Sequence, residues 1–250
     1  MIDFQHVFKS YGRGRNILVD LTFRVTRGEF VFVSGPTGAG KSTLLKLIAG
    51  LEPPTRGAIS VCGQRTDRLT ARTRPYFRRA VGVVLQDTRL LDDRSAYENV
   101  LLPLVVQGLP TAIASSRVRA ALDKVGLAGY ADAIPFEMSG GEQKRLAIAR
   151  AIVNRPTILI ADEPTANLDQ ESARHILDVF RDFNRVGVTL LVASHDEALM
   201  ADYATRTLRL ESGRFGQWPG VVPGRTLAQA FVDDPMRAEP RLSSEARERT

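Results

Sequence analysis

The segment Gly35-Pro36-Thr37-Gly38-Ala39-Gly40-Lys41-Ser42 sets two glycines five positions apart and follows the second with a cation and a hydroxyl. Glycine lets successive backbone N–H groups turn inward around an anion, and a helix N-terminus adds a favourable dipole. At this spacing the lysine reaches the β- and γ-phosphates of a nucleoside triphosphate, and the serine hydroxyl belongs on Mg²⁺. Residues Gly35 to Thr43 are therefore candidates for phosphate binding. A second candidate is acidic: the apolar run Ile158-Leu159-Ile160-Ala161 ends in Asp162 and Glu163. Asp162 suits a metal, directly or through water, and Glu163 could polarise an attacking water as general base. An acidic pair after a strand is common alone. Beside a phosphate loop it points to triphosphate hydrolysis.

A third segment, Met138-Ser139-Gly140-Gly141-Glu142-Gln143, opens a helix and offers a hydroxyl, free N–H groups and a positive helix end, all suited to a γ-phosphate. It resembles the signature sequence of ATP-binding cassettes and lies where that family has it, shortly before the acidic pair. The resemblance spans about residues 1–215. It implies an α/β fold: a P-loop NTPase nucleotide-binding domain with a RecA-like parallel-sheet core, an N-terminal antiparallel β subdomain and a helical subdomain. Because the chain already has a phosphate loop, the signature residues Ser139, Gly140, Gly141 and Glu142 are implied to serve a second copy, giving a head-to-tail homodimer with ATP sandwiched between subunits. Tyr11 resembles the aromatic that stacks on adenine, and Gln86 the glutamine that senses Mg²⁺ and attacking water. Asn167-Leu168-Asp169 resembles the loop bridging two active sites, with Asp169 on the nucleotide. His195 resembles the histidine that contacts the γ-phosphate. The implied catalytic set is Glu163, His195 and Gln86, and the implied metal set is Ser42, Gln86 and Asp162. Two positions depart from the family pattern: Met138 replaces a usual leucine and Ala166 a common glycine.

Within the family the chain is similar to bacterial cell-division ATP-binding subunits. The segments carrying this are Gly38 to Ile48, Leu122 to Leu127, Ser139 to Gln143 and Phe183 to Thr189. That branch implies an integral membrane partner, a peripheral position on the cytoplasmic face of the plasma membrane, and control of peptidoglycan hydrolases. ATPases of lipoprotein-release or macrolide-efflux exporters share these motifs, so the motifs alone leave the partner open. A partner's coupling helix is expected on Asp87 to Gln107. DNA-repair relatives carry long coiled-coil insertions between the two acidic and phosphate-binding motifs, and the spacing here has no room for one.

Elements must position these groups. Ile2 to Phe8 and Ile17 to Val25 alternate as strands, and Phe30 to Val33 is an apolar run before the phosphate loop. Ser42 to Ala49 has helical spacing with Gly50 as its stop. Ala58 to Val61 and Val81 to Leu85 read as strands. Ala112 to Val125 reads as a helix with Ile113, Val118, Ala121, Leu122 and Val125 on one face. Glu142 to Val153 and Glu171 to Asn184 read as helices, and Ile158 to Ala161 and Val188 to Ala193 as buried strands. This alternation predicts a parallel sheet covered by helices, interrupted by a helical subdomain over residues 95–153. Beyond Gly216 the prolines, glycines and charges predict a weakly ordered tail over 216–250, with one short helix from Thr226 to Phe231.

The 250 residues are 44% hydrophobic and 25% charged, enough apolar material for a sizeable core. The start, MIDFQHVFKSYG, does not read as a signal peptide, and Val100 to Val106 falls well short of the roughly 18 apolar residues a membrane helix needs. The single cysteine, Cys62, excludes an internal disulfide and reads as a small buried hydrophobe on a strand. The formal charge of +6 includes a concentration at Arg65, Arg68, Arg72, Arg74, Arg78 and Arg79, expected to be a solvated face, with contact to acidic headgroups or a partner as the alternative. No aromatics alternate with basic residues as a stacking platform requires, so no nucleic-acid partner is expected.

Overall fold

The computed structural model describes residues 1–12 and 14–216. The expected tail and its short helix lie outside the described residues, apart from Gly216.

β1 (Ile2–Tyr11) and β2 (Arg15–Val25) pair antiparallel from Ile2↔Val25 to Tyr11↔Arg15. Their alternation places Ile2, Phe4, Val7, Leu21, Phe23 and Val25 in a core. The chain then enters β3 (Phe30–Ser34) of a second sheet and forms α1 (Lys41–Ile48). Gly50, at φ +62°, ends α1 in a Schellman turn: Leu51 N–H donates to the Lys46 carbonyl at 3.0 Å and Gly50 N–H to that of Leu47 at 3.2 Å. β4 (Arg56–Val61) and β5 (Gln64–Arg65) return to the first sheet, whose order is β2-β1-β4-β5.

α2 (Arg74–Ala80) leads into β6 (Val81–Val84), and α3 (Ala96–Gln107), α4 (Thr111–Lys124) and α5 (Gly140–Ile152) pack together as a helical unit. β7 (Ile158–Asp162), α6 (Gln170–Arg185), β8 (Thr189–Ala193), α7 (Glu197–Tyr203), β9 (Arg206–Glu211) and β10 (Arg214–Phe215) follow. The second sheet has the order β10-β9-β3-β8-β7-β6, parallel except for the β9/β10 hairpin. β3, β7 and β8 are buried at every residue, which is why each reads as an apolar run of four, with its one polar residue at a strand end.

Period-two geometry makes this sheet a partition between two cores. Phe30, Phe32, Leu190, Val192, Leu159 and Ala161 face the helical unit and α6. Val31, Val33, Leu191, Ala193, Ile158 and Ile160 face α1 and the antiparallel sheet. Among the described residues, no helix is long and apolar enough to cross a membrane.

Three expectations need correction. Ile113 is 49% exposed, and Ala114 takes the inward place beside Val118, Ala121, Leu122 and Val125. Ile113 to Val118 is five residues, about 140° away from an aligned face at 100° per residue. Cys62 is not on a strand: it sits at φ +52° in the turn between β4 and β5 and is half-buried, its Sγ 3.6 Å from Met1 Sδ. Between Arg65 and Arg79 the surface is basic and largely solvated as expected, but Arg65 and Arg79 are half-buried, and Arg65 is paired with Asp67 at 2.8 Å.

Candidate active site

Parallel strands end together, so the loops after β3, β6, β7 and β8 gather at one edge of the sheet. They line a cleft of about 520 Å³. The β3 loop contributes Thr37, Gly38, Gly40, Lys41, Ser42 and Thr43; β6 contributes Gln86; β7 contributes Asp162 and Glu163; β8 contributes His195. With Ile17 of β2, residues from five separate stretches of sequence thus share one cavity.

Two glycines are required by space as well as by backbone. A Cβ on Gly35, at φ +140°, would lie 2.1 Å from the Leu210 carbonyl oxygen of β9. One on Gly40, at φ +107°, would lie 2.7 Å from Leu18 Cδ2. Gly40 is also the N-cap of α1, so the first N–H groups of that helix open toward the cleft with no side chain across them.

Lys41 is 8% exposed, and its ammonium donates to the carbonyls of Gly35 at 2.8 Å and Pro36 at 3.3 Å. A buried cation needs such partners, and phosphate oxygens can replace them. The same ammonium is 3.9 Å from Glu163 Oε1. Asp162 is 5% exposed, and its Oδ1 is buried without any hydrogen-bond partner. A carboxylate oxygen withdrawn from water and left unpaired is costly, and a divalent cation beside it removes that cost. Ser42 and Gln86 supply oxygens in the same cleft. The donor set therefore fits Mg²⁺.

Glu163 adopts φ +49°, rare for a non-glycine residue. Its N–H donates to the Ala193 carbonyl at 2.9 Å, which holds the strained residue between β7 and β8. Its carboxylate lies 2.9 Å from His195 Nδ1 and accepts a hydrogen bond there in the tautomer that carries its proton on Nδ1. A carboxylate flanked by an ammonium and an imidazole can accept a proton from a water and pass on its charge.

The remaining predicted residues stand around this cavity. Tyr11, at the end of β1, is 45% exposed; its hydroxyl donates to Glu52 at 2.5 Å and also meets Thr43 of α1. Pro36 and Ala39 do not line the cleft: Ala39 is buried in the core beside α1, and its N–H donates to the Pro36 carbonyl at 3.1 Å. Ser139, Gly140, Gly141 and Glu142 do not line the cleft. Ser139 caps α5 in a capping box: Glu142 accepts from Ser139 N–H at 2.7 Å and from its hydroxyl at 2.8 Å. The Tyr130 hydroxyl, then Ser139 N–H and hydroxyl, hold the Glu142 carboxyl below the usual range. Asp169 likewise lies off the cleft as the N-cap of α6, accepting from Ser172 N–H at 2.9 Å. Its neighbours Ala166 and Asn167 line the cavity instead.

Sequence reasoning missed the residues that hold the loops. Arg150 of α5 donates to the carbonyls of Arg89 at 2.8 Å and Thr88 at 2.5 Å, pinning the loop behind Gln86. Burial holds its guanidinium pKa below the usual value. Asn99, fully buried in α3, accepts from Leu91 N–H at 2.8 Å and donates to the carbonyls of Leu91, Arg94 and Ser95 at 3.0–3.1 Å. Lys144 of α5 donates to the Ala166 carbonyl. Burial lowers the Lys144 pKa, opposed by the nearby Glu163 charge.

Comparison with known proteins agrees with this geometry. A family model described as ABC transporter matches residues 18–166. The chain is 49% identical over 213 residues to the cell division ATP-binding protein FtsE of Escherichia coli strain K12, covering 85% of this chain and 96% of that protein. It is 44% identical over 215 residues to the FtsE protein of Mycobacterium tuberculosis, covering 86% and 94%. It is also similar to a solved dimeric ATP-binding cassette in a post-hydrolysis state bound to ADP and Pi, with TM-score 0.82, 32% identity, and coverage of 87% of this chain and 97% of that one. Covering 94–97% of the length of these relatives, this chain belongs to the ABC transporter family as a P-loop ATPase, hydrolysing ATP to ADP and phosphate.

Proposed function

We propose that this chain is an FtsE-type nucleotide-binding subunit that dimerises head to tail on ATP and drives an FtsX-like integral membrane partner, controlling peptidoglycan hydrolases in cell division from the cytoplasmic face of the membrane. The observation carrying the dimer is a separation within one chain. The phosphate loop, Asp162, Glu163 and His195 share a cleft from which Ser139 to Glu142 are absent. The signature end of α5 then serves a second copy, and the solved relative is itself dimeric. Nucleotide bound between copies turns binding free energy into association.

In this reading the N–H groups around Gly38 and Gly40 and the Lys41 ammonium bind the β- and γ-phosphates. Glu163 takes a proton from the water whose oxygen attacks the γ-phosphorus, while the bond to the ADP oxygen breaks. His195 orients Glu163 and meets the γ-phosphate. Ser42, Asp162 and Gln86 would hold Mg²⁺, which when bound neutralises phosphate charge. Tyr11 would stack on adenine. Ser139 would turn from Glu142 to the partner copy's γ-phosphate, and Asp169 would act at the dimer seam. The described fold supports a domain over 1–215 with its helical unit at 95–153.

The stretch Asp87 to Gln107 suits a membrane partner, since Leu102, Val105 and Val106 of α3 are exposed apolar residues. The test is affinity capture of Glu163→Gln protein from its host's solubilised membranes with ATP. Recovery of an FtsX-like protein is the expected result. Recovery of a lipoprotein-release or efflux permease would instead reassign the partner and leave the ATPase chemistry unchanged.

A further inference from the structure

The catalytic cleft leaves one buried charge unexplained. Lys9 of β1 is 8% exposed, and its ammonium lies 3.0 Å from Glu52 Oε2 and donates to the Pro53 carbonyl at 2.9 Å. The Tyr11 hydroxyl donates to that same Glu52 oxygen at 2.5 Å. Lys9 also stands 4.9 Å from the centroid of the Tyr11 ring, within cation–π range. Two residues apart on β1, Lys9 and Tyr11 thus meet each other and a common carboxylate.

Glu52 is fastened in turn to α1. It follows the Schellman turn at Gly50, and Lys46 in the last turn of α1 lies 3.9 Å from Glu52 Oε1. At the other end of the helix, Thr43 meets the Tyr11 hydroxyl. One helix therefore carries the phosphate loop at its N-terminus and the anchor of the Tyr11 hydroxyl beyond its C-terminus. Partial burial alone would raise the Glu52 pKa, but hydrogen bonds from Tyr11 and Lys9 outweigh it and keep the carboxyl below the usual range.

We infer that Lys9 and Glu52 are positioning residues that fix the Tyr11 ring as a base platform: Glu52 anchors the hydroxyl and Lys9 covers one face, leaving the other for adenine. This rests on the reading of Tyr11 as the adenine-stacking residue. An exposed tyrosine at a strand end would otherwise lose side-chain freedom each time a base stacked on it, and that ordering would weaken binding. Here the ring is ordered in advance and tied to the helix that holds the phosphates.

The experiment compares equilibrium affinity for ATP with that for inorganic tripolyphosphate, which offers phosphates without a base. It uses the full chain, Lys9→Met, Glu52→Gln, Tyr11→Ala and the double variant Tyr11→Ala/Glu52→Gln. Lys9→Met and Glu52→Gln should each weaken ATP about two- to tenfold, the range of an aromatic stacking contact, with tripolyphosphate unchanged. Unchanged tripolyphosphate affinity also reports an intact phosphate loop. With Tyr11 already alanine, Glu52→Gln should cause no further loss, because no ring remains to position. The inference is overturned by equal losses for both ligands, by no loss of ATP affinity, or by an undiminished Glu52→Gln effect in the Tyr11→Ala background. If Tyr11→Ala itself keeps the parent ratio of ATP to tripolyphosphate affinity, the stacking reading fails first and this inference falls with it.

Discussion

Replacing Asp162 with asparagine should stabilise the metal-free protein while removing its response to Mg²⁺. The side chain is 5% exposed and its Oδ1 has no hydrogen-bond partner. An unsatisfied buried polar atom costs about 1–3 kcal/mol, and more when charged. The amide keeps the shape and still leaves a polar atom unpaired, so it relieves only the excess due to charge, about 1–2 kcal/mol. For a domain of this size each kcal/mol moves Tm by about 2–4 °C, giving an expected rise of roughly 2–8 °C. In the parent protein, ATP with Mg²⁺ at a hundred times its Kd should add about 2.7 kcal/mol. The Mg²⁺-dependent part of that gain should vanish in Asp162→Asn. Thermal melts of both proteins with chelator, with ATP alone, and with ATP plus Mg²⁺ read both effects without measuring turnover. A lower Tm in chelator together with an undiminished Mg²⁺-dependent gain would refute the reasoning, because Asp162 would then be a structural carboxylate with a partner.

Glu163→Gln should lower ATP turnover about 10²- to 10⁴-fold, since an amide cannot take the proton of the attacking water, yet leave ATP bound. Gel filtration with saturating ATP should then show a dimer, and a persistent monomer contradicts the head-to-tail reading. Lys41→Ala should weaken ATP binding about tenfold or more by removing a charge-assisted phosphate contact, and calorimetry showing unchanged affinity would sink that assignment. Asn99→Leu should destabilise the fold by about 2–4 kcal/mol, because Leu91 N–H and three carbonyls lose a buried partner. An unshifted urea midpoint would mean that the loop before α3 is held by other contacts.

The chemistry-bearing segments were legible because each stands at an element boundary with its own local signal. Phe30 to Val33, Ile158 to Ala161 and Leu190 to Ala193 are continuous apolar runs, and strands buried on both faces read that way for a physical reason. The Gly35 to Ser42 loop was legible through glycines that space itself enforces at Gly35 and Gly40. One error arose where the inward face of a helix was misjudged by one residue. Ile113 looked like a core residue, but alanine at 114 fits the narrow inward position of α4 and the larger side chain faces solvent. Asp169 has a use within one chain that the resemblance does not mention: as a carboxylate just before a helix it caps α6. The resemblance pointed at Asn167-Leu168-Asp169 as a unit, and only the fold separates Asn167 in the cleft from Asp169 outside it.

The residues that stayed hidden share a different property. Asn99, Lys144 and Arg150 act on backbone carbonyls: those of Leu91, Arg94 and Ser95, of Ala166, and of Thr88 and Arg89. Every residue carries a carbonyl, so no pairing of side-chain types in the sequence announces such a contact, whereas Glu163 with His195 pairs two chemically distinctive groups. Arg150 contacts the Thr88 and Arg89 carbonyls across 62 and 61 residues, a separation at which local patterning carries no information. The consequence is mechanical. Three side chains of one helix hold three parts of the machinery: Ser139 caps the signature end, Lys144 holds the loop after Glu163, and Arg150 holds the loop after Gln86. A helix whose charged residues read in the sequence as ordinary solubilising ones is therefore the mount on which the two loops and the signature end keep their relative places.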